Sequence, residues 1–202
     1  MSGSVDGGKA ELRKKLENSP RPHIGILQQR EIEARVIAPI YLELVERLGE
    51  EEAKQIIAAA VLADAEAAGR DFRRGAQPGQ EMRHFIDIQE YWEADDALDA
   101  EHVLETDDRY SYTVHRCGYA EMYQRLGIPE LGAILSCGRD FAFARGYDPN
   151  LELSRSQTIM QGASYCPFQY VLRRSSGTGE DDGESVSFQF GDPGVQDRTA
   201  TT

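Results

Sequence analysis

Apolar residues between Ile24 and Leu48 recur at helical spacing, with Ile37, Ile40, Tyr41, Leu44, Val45 and Leu48 on one stripe. Pro39 lies inside this run. Proline lacks an N–H and crowds the preceding turn, so the sequence predicts a kink or the start of a second helix there. Gly49 predicts the stop, and Glu50, Glu51 and Glu52 suit the positive end of a following helix. That second helix is expected to reach about Ala68, burying Ala53, Ile56, Ile57, Ala60 and Val61. The pair reads as an antiparallel hairpin whose many alanines allow close packing.

Arg74 to Gly79 reads as a loop. Met82, Phe85, Ile86 and Trp92 predict a third helix ending near Ala97, with His84 beside its stripe and without a role. The period then changes. Glu101 to Glu105 is read as a strand and Asp107-Asp108 as a turn. Arg109 to Arg116 alternates, with Tyr110, Tyr112 and Val114 on one face and Ser111, Thr113 and His115 on the other. Cys117 to Leu126 returns to helical spacing and stops at Gly127. Pro129 opens a further helix running to about Arg145. Leu151 to Thr158 and Cys166 to Arg173 complete the pattern as two more strands. A helical first half followed by strand, strand, helix, helix, strand, strand predicts an α+β fold, an antiparallel sheet with helices on one face.

The length of 202 residues fits one domain with loose ends. The expected division is a flexible tail over 1–22, a single domain over 23–174 and a flexible acidic tail over 175–202. A short helix over Ala10 to Glu17 and an edge strand carrying Val186, Phe188 and Phe190 are expected within the tails. The net charge of −13 opposes binding to phosphate backbones and anionic lipid, so neither nucleic acid nor membrane is expected as a partner. No run approaches the roughly 20 apolar residues of a membrane span. The N-terminus shows no basic stretch followed by an apolar one. With three widely spaced cysteines, an odd number, a disulfide framework is not expected, and the setting reads as cytoplasmic.

Cys117, Cys137 and Cys166 all lie in the C-terminal half. Cys137 is followed by Arg139 and Asp140, and residues three apart on a helix are neighbours, so Asp140 is expected beside Cys137. The plain alternative is an ion pair between Arg139 and Asp140. Cys166 shares a strand face with Phe168, Tyr170 and Leu172, which predicts a buried thiol. Such a thiol is a poor nucleophile without a base or cation nearby, and His115 and Arg116 precede Cys117 closely enough to offer one. The chain has no C-x-x-C pair of the kind zinc sites favour, no phosphate-binding glycine loop, no H-E-x-x-H and no G-x-S-x-G.

Several short runs together carry more information. They are Cys117-Gly118-Tyr119-Ala120-Glu121-Met122-Tyr123, Leu126 to Gly132, Ser136-Cys137-Gly138-Arg139-Asp140, Gly146-Tyr147-Asp148-Pro149, Leu153 to Met160, and Gly162 to Tyr170. This combination resembles the L-2-amino-thiazoline-4-carboxylic acid hydrolase family over the stretch from about Arg109 to Tyr170. Three positions depart from the family pattern. Pro167 and Gln169 stand where members usually carry an acid and an arginine, and Gly138 stands where an asparagine is common.

The resemblance implies water addition to a C=N or amide-type carbon in a small cyclic substrate, without a cofactor. It implies Cys137 as nucleophile with Cys166 next, Asp140 handling protons and His115 as a reserve base. Arg139 or Arg155 would hold a substrate carboxylate, since a guanidinium forks naturally onto one. Cys117 and Tyr119 would lie beside the substrate. The alternative from another class is a small-molecule-binding or sensor domain in which the cysteines hold zinc. A third reading is a helper subunit that forms a homodimer through its N-terminal hairpin.

Overall fold

A computed structural model of the protein describes residues 24–173, together with Gly8, Glu11, Lys14 and Lys15. Of the helix expected over Ala10 to Glu17, Glu11, Lys14 and Lys15 are described, all helical. The strand expected at Val186 to Phe190 lies outside the described residues.

Helix α1 spans Ile26–Leu48 and passes through Pro39 as one element, so no second helix begins at the proline. Pro39 stands on the solvent side, where water can take the carbonyl it leaves without a partner. Gly49, at φ 89°, closes α1 by donating to the Val45 carbonyl, a conformation that suits glycine. Its own carbonyl then accepts from Ala53 in α2, Glu50–Arg73. This helix runs five residues past the expected Ala68.

The expected third helix breaks into α3, Glu81–Asp87, and α4, Glu90–Glu93, followed by a 3-10 turn over Ala94–Asp96. The chain bends there through left-handed Asp95 and Asp96, at φ 59° and 57°. Strands β1, Leu98–Glu105, and β2, Arg109–Cys117, form the expected hairpin. Helix α5, Gly118–Arg125, follows directly. Then come α6, Pro129–Gly132, a π-helical turn over Ala133–Cys137, and α7, Arg139–Tyr147. The expected helix from Pro129 is thus interrupted by the π turn. Strand β3, Leu151–Ser154, stops four residues before Thr158, and β4 spans Cys166–Leu172.

The result is an α+β fold with a four-stranded antiparallel sheet in the order β1-β2-β4-β3. Alternation along β2 and β4 sends Tyr110, Tyr112, Val114, Cys166, Phe168, Tyr170 and Leu172 to one buried face. That face packs on Met82 and Phe85 of α3 and on Phe143, Ala144 and Tyr147 of α7. A second core joins α1 and α2 to α5 and α6 through Ala34, Ile57, Val61, Met122, Tyr123 and Leu131. Helices α2 and α7 touch backbone to backbone. A Cβ at Gly146 would collide with the Glu66 carbonyl, and one at Gly69 with the Phe143 carbonyl. Among the described residues no helix is long and apolar enough to cross a membrane.

Candidate functional site

Between the sheet and the helices lies a cavity of about 500 Å³. It opens where the two cores meet, and Trp92, Leu98 and Cys117 touch both. The π turn shapes one wall. It widens the helix so that Gly138 donates to the Ala133 carbonyl at 2.9 Å, and it leaves Ser136, Cys137, Arg139 and Asp140 on the lining. Such turns recur where a helix must re-aim side chains at a site.

Seven of the eight residues expected at a site line this cavity: Cys117, Cys137, Cys166, Asp140, Arg139, Arg155 and Tyr119. His115 does not join them. It stands exposed on the outer side of β2, with Nε2 3.2 Å from Glu101, because alternation turns it away from the face that Val114 occupies. His115 is therefore not a reserve base for this cavity.

Arg139 and Asp140 do not pair with each other. Successive residues on a helix point about 100° apart, and each finds its own partner. Arg139 bonds to Asp64 of α2, and Asp140 bonds to Arg155 from the loop after β3. Arg155 is deeply enclosed, with a side chain 6% exposed. Its Nη2 donates to the Cys137 carbonyl at 2.8 Å, and the guanidinium lies 4.9 Å from the Phe168 ring centre and 5.1 Å from that of Phe141. Arg155 thus fixes Asp140 and the end of the π turn together. Asp140 keeps 26% of its side-chain surface open, and as a lining residue it presents that surface to the hollow. Burial raises its carboxyl above the ordinary value, and Arg155 opposes the rise.

The thiols are held neutral. Burial pushes Cys137 up to about 12, against the pull of Arg155, and Cys117 up to about 11, against its bond from Ala120. Cys117 caps α5, accepting from the Ala120 N–H at 3.4 Å. Cys166 accepts from the Ile159 N–H at 3.1 Å and is likewise raised by burial. Two of the three sulfurs are therefore occupied in holding backbone. Among the described residues no group of three or more His, Cys, Asp or Glu side chains is placed to hold a metal ion.

Tyr119 is anchored by its hydroxyl, which donates to the Trp92 carbonyl at 3.1 Å. Tyr112 and Tyr170 were legible only as core, yet both line the cavity, and burial keeps both phenols protonated. Arg30, buried on α1 and bonded to Glu33, also lines it and carried no sequence signal beyond its charge. Pro167 and Gln169, two of the departures from the family pattern, pair with Thr113 and Ser111 on the opposite face of the sheet from Cys166, Phe168 and Tyr170. They stay off the lining.

The L-2-amino-thiazoline-4-carboxylic acid hydrolase family matches residues 29–170, a stretch that takes in α1 and reaches β4. No curated protein matches the chain. Among solved structures it is similar to the phenol-responsive sensory domain of the transcription activator PoxR, crystallised with phenol. That likeness has 12% identity over 68% of this chain and 73% of the other, with a TM-score of 0.36. It is too slight to extend that domain's ligand to this protein.

Proposed function

The chain belongs to the L-2-amino-thiazoline-4-carboxylic acid hydrolase family, and from that premise we propose that it opens a small heterocycle by adding water to a C=N or amide-type carbon inside the cavity. The observation that carries this reading is Asp140, a carboxylate fixed by buried Arg155 and open to the cavity. Asp140 takes a proton from water as the C–O bond forms at the ring carbon. It returns that proton to the departing ring heteroatom as the ring bond breaks. The protonated phenol of Tyr170, which accepts from Tyr112 and keeps its own proton to give, offers a donor to the negative charge that develops. Arg139 and Arg30 take a substrate carboxylate by their guanidinium forks.

Cys137 is assigned to the wall and not to bond formation. A thiol raised to about 12 is almost wholly protonated at neutral pH and attacks poorly. The two mechanisms give different pH–rate profiles. With Asp140 as base, the rate rises through a carboxyl titration that burial moves upward and levels off above it. With a Cys137 thiolate, it keeps climbing towards pH 12.

The test is turnover of thiazoline-carboxylates, cyclic amidines and lactams, read as a mass gain of one water. Asp140→Asn is expected to lose at least about 100-fold in kcat, within the usual share of general acid–base catalysis. Cys137→Ser should stay within about tenfold of wild type. Full activity in Asp140→Asn, assayed below its own unfolding temperature, would sink the assignment. A second reading, a binding domain without turnover, is favoured by the neutral thiols and would show ligand affinity with no mass gain on any ring.

A further inference from the structure

We propose that the molecule this cavity takes is a carboxylate bearing an aryl-sized apolar group, not a bare five-membered ring. The inference deepens the hydrolase reading and rests on this cavity being the substrate site.

The first argument is size. A five-membered ring with one carboxylate displaces on the order of five water volumes, ~150 Å³ at ~30 Å³ each. The cavity measures about 500 Å³, within the class that holds much larger ligands. Most of its room is surplus to the ring.

The second argument is where the surplus lies. Helices α2 and α7 both run from a charged end to an aromatic end. Asp64 of α2 meets Arg139 of α7, and Phe72 of α2 meets Phe143 of α7 at 5.5 Å between ring centres. On α7, which carries lining residues of both ends, four residues separate Arg139 from Phe143, a rise of about 6 Å. Trp92 closes the aromatic end, 5.8 Å from Phe72 and 5.0 Å from Phe143. Across the cavity the sheet presents Tyr112 and Phe168, stacked at 4.6 Å. Aromatic walls of this kind favour another ring, offset or edge-on. The charged end has Arg30, Arg139 and Arg155 on the lining; Arg155 is taken by Asp140, whereas the partners of Arg30 and Arg139, Glu33 and Asp64, lie off the lining, which leaves guanidinium N–H groups for an anion.

Trp92 is the only tryptophan in the chain, so its fluorescence reports on the aromatic end without any turnover. The experiment titrates the full-length protein with 3-phenylpropionate, propionate and 3-phenylpropanol. The expected result is a Trp92 signal with 3-phenylpropionate, at a Kd at least tenfold below that of either other compound. Phe72→Leu should remove most of the gain over propionate. If that variant fails to fold, the wild-type titration decides alone. Equal affinity for propionate overturns the aryl group, and equal affinity for the alcohol overturns the carboxylate. A parallel turnover series compares thiazoline-4-carboxylate with its 5-phenyl derivative. If aryl acids bind tenfold tighter and neither ring opens, this inference stands and hydrolysis fails. If both rings open equally and aryl acids gain nothing, hydrolysis stands and this inference fails.

Discussion

The helical N-terminal half and the sheet-bearing C-terminal half contribute unlike things to one cavity, and two chemically identical ion pairs expose the difference. Arg155–Asp140 lies wholly within the C-terminal half, with side chains 6% and 26% exposed. Arg139–Asp64 crosses between the halves, and its acid, on α2, is 50% exposed. Both arginines are enclosed, but only one has its countercharge enclosed as well. Water screens Asp64 and does little for Asp140. The first pair therefore holds reactive geometry, while the second acts as a tether between halves, with its arginine end free to meet a substrate anion. The N-terminal half adds Phe72, Trp92 and Arg30 to the lining but no acid as deeply held as Asp140.

The sharpest way to break this comparison is to neutralise each acid in turn. Asp140→Asn leaves Arg155 buried without its countercharge, a change that typically costs about 3–5 kcal/mol. Asp64→Asn removes a half-exposed partner, and solvent should hold the loss to about 1 kcal/mol or less. Urea unfolding of both variants checks this. Equal losses would mean that the two pairs share one environment and that the cavity does not enclose Asp140.

How much of this was visible in the residues also divides by region. The alternation of Tyr110, Tyr112 and Val114 identifies β2 and its buried face, because period two has no helical counterpart. The same alternation should have excluded His115, which sits one residue out of phase with Val114. Helix ends were less legible. Gly69 to Arg73 continue α2 past the expected stop at Ala68, and Gly69 and Phe72 pack against Phe143 of α7, a tertiary contact with no local signal. The π turn at Ala133–Cys137 is likewise silent in the pattern, since one extra residue in a turn leaves an apolar run apolar. Dense short runs pointed to Cys137, Asp140 and Arg155 as a group. Which arginine served which aspartate depended on the approach of α2 and of the β3 loop, and spacing along the chain does not encode that.

A smaller effect tests how the halves are joined. Gly146→Ala drives a methyl group into the Glu66 carbonyl, backbone against backbone. Helix propensity favours alanine over glycine by up to about 1 kcal/mol, so a surface site would gain from the change. Here α2 and α7 must separate, and overpacking of this kind costs about 1–3 kcal/mol. A net loss of stability, with altered Trp92 emission from the nearby Phe143 wall, is the expected outcome. A gain in stability would show that the helices are not in contact at this point.

The smallest effect lies on the surface, where Glu31 of α1 bonds to Arg125 of α5 at 3.0 Å and also to Arg35. These bonds, Arg125's foremost, hold the Glu31 carboxyl down to about 2 from an ordinary 4.5. A carboxyl lowered on folding contributes stability that is fully present above its unfolded value and is lost as pH falls through the folded one. Wild type should therefore lose this contribution between about pH 4.5 and 2, and Glu31→Gln should lack it throughout. The stability difference between the two proteins is expected to be largest near neutrality and to shrink through that window. Because the pair faces solvent, 1 M salt should also reduce the difference at pH 7. A difference that ignores both acid and salt would mean that Glu31 acts through packing, and that the halves meet at this edge without electrostatic help.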